Sequence, residues 1–379
     1  MNIKSVILPV LLFVAAFSVA QNSRKVSYHR MEGNIGNDVE VTANFIRLFD
    51  KVEGNYQYKF RENDATTFYG KMLEVEGKVL KNDSLYLKEY GADDASFLGI
   101  WHDNSFNGKW KVPGDDDDYM EVLLKEYYPQ GSLPFKVYYL SSEEPLVKGS
   151  NDSPTATLEL TLLYPKNNFM TAAILDSVKQ IINNSFFGDN FTPDLPAIML
   201  KKFEKEYYHN YKVSNLDEYN EIGGAAFSWA SINSMSVLFN SSYLLSIEYQ
   251  RYAYSGGAHG ITNDAYDIID LKSGKVLTYN DIFVDNADSA LSALLTKKML
   301  EKYKTKDEAD LKQLGFWVDT ISPNQNVYVT GNGIGFKYAS YEIAPYSYGL
   351  PEVFLSFEEC KNLIRPGTPV YRLSQQKQQ

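Results

Sequence analysis

Cysteine is almost missing from this sequence: Cys360 is the single one in 379 residues. One thiol excludes an intrachain disulfide and any zinc or iron–sulfur site built from several cysteines. Histidine is nearly as scarce, at His29, His102, His209 and His259, so a nucleophilic cysteine has few partners to draw on. Cys360 shares a helical face with Leu363 and Ile364, which reads as a small buried hydrophobe. Basic residues fall short of acidic ones, 37 against 48, and the net charge of −11 disfavours nucleic acid or an anionic membrane surface as a partner. Neither the apolar poverty nor the charge density of a disordered chain is present, with 44% hydrophobic and 22% charged residues. The length allows two or three domains, each with a core of its own. After residue 20 no apolar run is long enough to span a bilayer.

The opening twenty residues differ from the rest. Lys4 precedes a nearly unbroken apolar run from Val6 to Val19, which closes on Ser18-Val19-Ala20 before polar Gln21-Asn22. Small residues at −3 and −1 give the layout of a signal peptide cleaved after Ala20, and the run is short for a spanning anchor. No cysteine follows it, so a lipoprotein anchor is not expected. Loss of Lys4 would take the charge from −11 to −12. An exported protein, periplasmic or secreted, is the expectation.

Residues 21–147 read as an antiparallel β module, barrel-like because turn signals recur every 8–12 residues or so. Lys78–Lys81 and Ser84–Lys88 flank the two-residue turn Asn82-Asp83. Gly99-Ile100-Trp101 and Gly108-Lys109-Trp110 repeat a Gly-x-Trp pattern. The run Gly114–Tyr119 holds four consecutive aspartates, which fit a solvated loop better than the spaced ligands of a calcium site. Residues 148–154 have the composition of a linker. Beyond it, spacings of three and four among Leu175, Val178, Ile181/Ile182 and Phe186 predict a helix from about Thr171. A second helix starts at Asp194-Leu195-Pro196, with Leu200, Phe203 and Tyr207 as its stripe. Strands at 225–239 and 243–254 follow, then a helix over 288–303 carrying Leu291, Leu294/Leu295 and Met299. Asn280–Phe283 is expected to end a hairpin. The fold class is therefore α+β: a barrel-like module, then helices packed on an antiparallel sheet.

The most specific segment runs from a long strand, Tyr243–Tyr254, through Ser255-Gly256-Gly257-Ala258-His259-Gly260. Three glycines in five residues permit positive φ and close approach at a tight connection. Together with Asp281-Ile282-Phe283 and Tyr341-Glu342-Ile343-Ala344-Pro345-Tyr346-Ser347-Tyr348-Gly349, this segment resembles the paired extracytoplasmic modules of RsiV and PdaC. RsiV is an anti-sigma factor whose outer domain binds lysozyme, and PdaC places the module ahead of a peptidoglycan deacetylase domain. The resemblance covers about 150–366, and it implies a PdaC-like domain over 150–262, an RsiV C-terminal-like domain over 263–367 and a polar tail over 368–379. It also implies an exported protein with no enzymatic assignment. No sigma-binding segment or membrane helix precedes the module here. The Thr-Phe-Asp-Asp and His-x-x-x-His signatures of the deacetylase domain do not follow it, so only the module and a cell-envelope binding role carry over.

Candidate residues come from these motifs. Tyrosine, at 29 of 379 residues, supplies flat apolar area with a polar tip. Exposed members among Tyr252, Tyr254, Tyr341, Tyr346 and Tyr348, with Gly256, Gly257 and His259 at the turn, form the expected binding surface. Its partner would be a lysozyme-like protein or a cell-wall polymer. The remaining tyrosines serve cross-strand packing. The alternative is a hydrolase or deacetylase-related enzyme using His259 with an acidic partner such as Asp264 or Asp267. No cofactor or metal is expected.

Overall fold

The computed structural model describes residues 26–63, 66–69, 72–90, 95–111, 118–166, 170–189, 191–222, 227–303 and 310–375. The signal-like leader and Asp115–Asp117 lie outside them. The chain divides into two compact units, one of Met1–Tyr56 with Leu73–Glu126, the other of Gln57–Met72 with Tyr127–Gln379.

The first unit is a closed up-and-down barrel of eight antiparallel strands. They are β1 (Val26–Ile35), β2 (Val39–Leu48), β3 (Lys51–Asn63), β5 (Leu73–Val79), β6 (Ser84–Glu89), β7 (Ser96–His102), β8 (Ser105–Lys111) and β9 (Tyr119–Glu126). Each pairs with the next, and β9 returns to β1, which leaves no free edge among the eight. β4 (Thr66–Tyr69) pairs with the far part of β3, and both that part and β4 fall in the second unit; the barrel uses β3 only over 51–56 against β5. Local chemistry explains the corners. Asn82 and Asp83 sit at φ 64° and 58° within a three-residue loop, Lys81–Asp83, that joins β5 to β6, one residue longer than the turn read from the sequence. Gly99 and Gly108 of the Gly-x-Trp repeats are register partners on β7 and β8. A Cβ on Gly99 would stand 2.6 Å from the Gly108 Cα, so both positions must be glycine for the strands to approach this closely. Aromatic rings fill the lumen: Tyr56 meets Phe97, Phe97 meets Phe106, and Phe45 meets Trp101.

The second unit is built on a six-stranded sheet in the order β10 (Phe135–Pro145), β11 (Thr155–Pro165), β12 (Trp229–Ser241), β13 (Leu244–Tyr254), β14 (Ile261–Asp270), β15 (Lys275–Val276). All neighbours are antiparallel except β11 and β12, which are parallel and joined through α1 (Ala172–Phe187) and α2 (Pro196–Ile222). The helix read from Leu175, Val178, Ile182 and Phe186 is α1, and those four side chains are its buried face; Thr171 caps it with Oγ1 accepting from the Ile174 N–H. On α2 the buried positions include Met199, Leu200, Tyr208 and Tyr211, with Phe203 and Tyr207 only half-buried.

Strand pairing crosses two of the boundaries read from the sequence. Residues 148–154 are not an interdomain linker but the connection of the β10–β11 hairpin, so β10 belongs to the second unit and not to a module ending at 147. Alternation marks a strand but does not say which sheet it joins. Likewise β14 begins at Ile261 and pairs with β13 along its whole length, so the six-stranded sheet runs through the 262/263 boundary.

The chain continues into α3 (Tyr279–Ile282), α4 (Asp288–Tyr303) and a three-stranded sheet of β16 (Val327–Val329), β17 (Gly333–Lys337) and β18 (Glu352–Ser356), then α5 (Phe357–Cys360) and α6 (Pro369–Gln375). Asn280–Phe283 does not end a hairpin. Asp281 forms a capping box with Thr278, which winds this stretch into α3. One apolar cluster unites Leu244 and Ile268 of the large sheet, Leu291, Leu295 and Met299 of α4, and Ile334, Phe336 and Leu355 of the small sheet. Cys360 is fully buried in that cluster, and burial, with Glu359 alongside, pushes its thiol up to about 12.

Candidate binding surface

The long β13–β14 hairpin carries its connection, 255–260, beyond the paired register, which ends at Ala253 opposite Ile261. Gly256 and Gly257 lie at φ 98° and 95°, a region that side-chain-bearing residues rarely enter. The Tyr254 hydroxyl donates to the Gly257 carbonyl at 3.0 Å and closes the tip. Below it the Tyr252 ring occupies the space a Cβ on Gly260 would need. The glycine-rich motif thus sets a rigid tip, and His259 projects from it, exposed.

The His259 ring is held at both nitrogens. Nδ1 lies 3.2 Å from the Gly260 carbonyl, and Nε2 lies 3.2 Å from the Tyr341 hydroxyl. A carbonyl oxygen only accepts, so Nδ1 carries the proton and Nε2 accepts from Tyr341. Tyr346 lies flat on the imidazole at 3.9 Å between centroids and 20° between planes, and its hydroxyl donates to the Gly260 carbonyl at 2.9 Å. Tyr341 lies near-parallel to His259, at 6.4 Å and 28°. Trp317 continues the row beyond Tyr341 at 6.2 Å and 19°.

Trp317, Tyr341 and Tyr346 are 52%, 45% and 37% exposed, large values for rings that also touch one another. The backbone fixes this display. The Trp317 N–H donates to the Ile343 carbonyl at 2.9 Å, while the preceding Phe316 is buried in the core. The Glu342 carboxylate accepts from the Ala339 N–H at 2.7 Å and from Asn324 at 3.2 Å, tying the 339–342 turn. Within that turn Tyr341 sits at φ 67°, a conformation that costs a non-glycine residue about 1 kcal/mol or more.

Three sequence candidates, His259, Tyr341 and Tyr346, therefore meet on one surface, and Tyr252, Tyr254, Gly256 and Gly257 shape its rim. Tyr348 does not join them. Its ring packs on Phe316 at 5.0 Å and Tyr303 at 5.6 Å, and its hydroxyl donates to the Leu314 carbonyl. Two residues along a 3-10 turn separate it from Tyr346, about two-thirds of a turn, enough to face the core instead. Trp317 was not among the candidates: it lies in a stretch without strand or helix period, and its only signal is an aromatic pair, Phe316-Trp317.

The acidic neighbours proposed for His259 serve elsewhere. The Asp264 side chain is 1% exposed and lies 3.4 Å from Lys337. Asp267 accepts from the Ser185 hydroxyl at 2.7 Å, and burial raises its carboxyl above the ordinary range. The imidazole bonds neither of them. Among the described residues no three His, Cys, Asp or Glu side chains come together as metal ligands. The surface is a neutral row of rings, suited to a flat apolar face and to hydrogen bonds at its hydroxyl rim.

Residues 152–262 match the family model described as Deacetylase PdaC, and residues 280–358 match that of a protein of unknown function, DUF3298. A crystal structure of a DUF3298 family member from Bacteroides fragilis is 25% identical, with a TM-score of 0.59, and the match covers 65% of this chain and 98% of that one. A second, a DUF3298 family protein from Pseudomonas aeruginosa PAO1, is 21% identical with a TM-score of 0.42, covering 62% of this chain and 95% of that one. No curated protein matches the chain. The Trp317, Tyr341 and Tyr346 rings all fall within the DUF3298 match, and His259 falls at the end of the PdaC match. Two segments are thus similar to known families, 152–262 to PdaC and 280–358 to DUF3298, in that order after an N-terminal β-barrel.

Proposed function

We propose that this is an exported binding protein of the cell envelope, and that the Trp317–Tyr341–His259–Tyr346 row is its non-catalytic contact surface for a cell-wall polymer. The observation that carries this reading is the exposed, near-parallel row itself, assembled from three separate segments and held by a strained Tyr341. Strain persists where surrounding structure over-determines it, and such positions concentrate at ligand contacts. Sugar rings present apolar faces edged with hydroxyls, which match flat aromatic rings edged with Tyr hydroxyls and an imidazole.

A lysozyme-like protein is the second reading. It is favoured by the net charge of −11, which would steer a cationic partner. Export rests on the leader ending at Ala20. An enzyme using His259 is disfavoured, because the imidazole is bonded to a carbonyl and a phenol and not to a carboxylate.

Co-sedimentation with purified peptidoglycan, with lysozyme offered separately as bait, tests this. The protein should be retained by peptidoglycan, and Trp317→Ala or Tyr341→Ala should each weaken retention about tenfold, roughly 1.4 kcal/mol. Retention of lysozyme alone would favour the second reading. Failure of both baits would remove the proposal, as would turnover of a wall substrate abolished by His259→Ala.

A further inference from the structure

The barrel holds a constellation that the binding reading does not use. Ser27 and His29 are two residues apart on β1, so their side chains leave the same face. That face is the lumen. Rings on strands that are not neighbours meet only across the interior, and His29 of β1 packs edge-on to Trp101 of β7 at 5.0 Å and 72°. Glu126 ends β9, the other neighbour of β1, and is the register partner of Met31. Its Oε2 lies 3.0 Å from His29 Nδ1, and the Ser27 Oγ lies 2.8 Å from His29 Nε2.

Proton positions follow from the partners. A carboxylate only accepts, so Nδ1 carries the hydrogen; Nε2 then offers a lone pair, and the Ser27 hydroxyl donates to it. Hydroxyl, imidazole and carboxylate in that order are the arrangement that activates a serine nucleophile. The side chains of His29 and Glu126 are 13% and 19% exposed, and Ser27 is half-buried. The imidazole is thus held on three sides, by an acid, a hydroxyl and the Trp101 ring, and Trp101 is itself fixed by its Nε1–H donating to the Asp103 carbonyl at 3.2 Å.

We propose that Ser27 is a nucleophile toward carboxylic esters, with His29 as its general base and Glu126 as the positioning residue. The Ser27 Oγ bonds to the ester carbonyl carbon while its proton passes to His29 Nε2. The bond from that carbon to the alcohol oxygen then breaks, and the departing oxygen takes the proton from Nε2. Water attacks the acyl-serine with His29 again as base, and the released proton returns to the Ser27 oxygen as the carboxylic acid leaves. Glu126 keeps the imidazole in the tautomer that faces Ser27 and favours the imidazolium formed in each step. This inference concerns the barrel alone and stands or falls apart from the aromatic surface.

The test uses the protein purified after export from cells expressing the full chain, treated with a fluorophosphonate. That probe loses fluoride to an activated serine. The expected result is one adduct per chain, mapped to Ser27, with hydrolysis of p-nitrophenyl acetate lost in parallel. Ser27→Ala should abolish both, His29→Ala should slow labelling at least a hundredfold, and Glu126→Gln about tenfold, with Glu126→Asp restoring part of the rate. Thermal melts of Ser27→Ala and Glu126→Gln should stay close to wild type, which separates lost reactivity from lost fold. No adduct at Ser27, or labelling whose rate is unchanged in Glu126→Gln and His29→Ala, would overturn the proposal.

Discussion

Tyr341 combines two properties that stability alone does not favour together: a left-handed backbone and a ring left 45% exposed. Glycine relieves the backbone strain and alanine does not. Tyr341→Gly should therefore be more stable than Tyr341→Ala by about 1 kcal/mol in urea unfolding, although both lose the ring. Both should lose wall binding equally. If alanine proved the more stable, the strain at this residue would be misassigned. His259 offers a second check at this scale. With Nδ1 donating to Gly260, the neutral ring carries its proton on Nδ1, which nitrogen-15 shifts of the imidazole report directly. A proton on Nε2 would break the Tyr341 bond as described.

Among the elements, β17 and β18 carry the charge that the second unit buries. Lys337 lies 3.4 Å from both Asp264 and Glu352, and the Tyr328 hydroxyl donates to Glu352. Burial alone would pull the Glu352 carboxyl up, but Lys337, the Tyr328 hydroxyl and Lys302 together outweigh it, and the net displacement is downward. A depressed carboxyl stabilises the fold above the ordinary glutamate range, and that contribution is lost as pH falls through the lowered folded value. Glu352→Gln should cost about 1–3 kcal/mol at neutral pH and flatten the fall in melting temperature toward acid. An unchanged acid slope would mean that the pair contributes nothing. In the barrel, Gly99→Ala should destabilise by about 1–3 kcal/mol, since its Cβ meets the Gly108 backbone and not a movable side chain.

Elements also show what the sequence makes legible. The buried face of α1 could be read residue by residue, because a helix packed on one side repeats every three or four positions. The turn at Asn82-Asp83 was legible in place but not in length: Val79 pairs with Leu85, so the loop is Lys81–Asp83, three residues and not two. The sheet to which β10 belongs was not legible, because alternation repeats identically whichever neighbour a strand pairs with. Asp281 was misjudged because a capping box needs only four residues and leaves no periodic trace. At the site, His259, Tyr341 and Tyr346 came from the motifs that carry the family resemblance, with the glycines of 256–260 marking the turn. Trp317 and the Ser27–His29–Glu126 relay depend on tertiary placement, and no local spacing announces them.

At the scale of the whole molecule, a closed barrel precedes a unit that is similar to DUF3298 over 280–358 and exposes a row of rings, proposed to meet a wall polymer outside the cytoplasm. Export has its own check: protein recovered outside the cytoplasm should begin at Gln21, and intact mass will show whether the leader is removed. The binding claim is tested most directly by fluorescence. The chain has four tryptophans, and Trp317 is 52% exposed while Trp101 is buried in the barrel lumen. Soluble wall-glycan oligomers should shift the tryptophan emission saturably toward the blue, and the shift should vanish in Trp317→Phe and weaken about tenfold in Tyr341→Ala. A shift that persists in Trp317→Phe, or oligomers that bind without altering Trp317, would contradict the account.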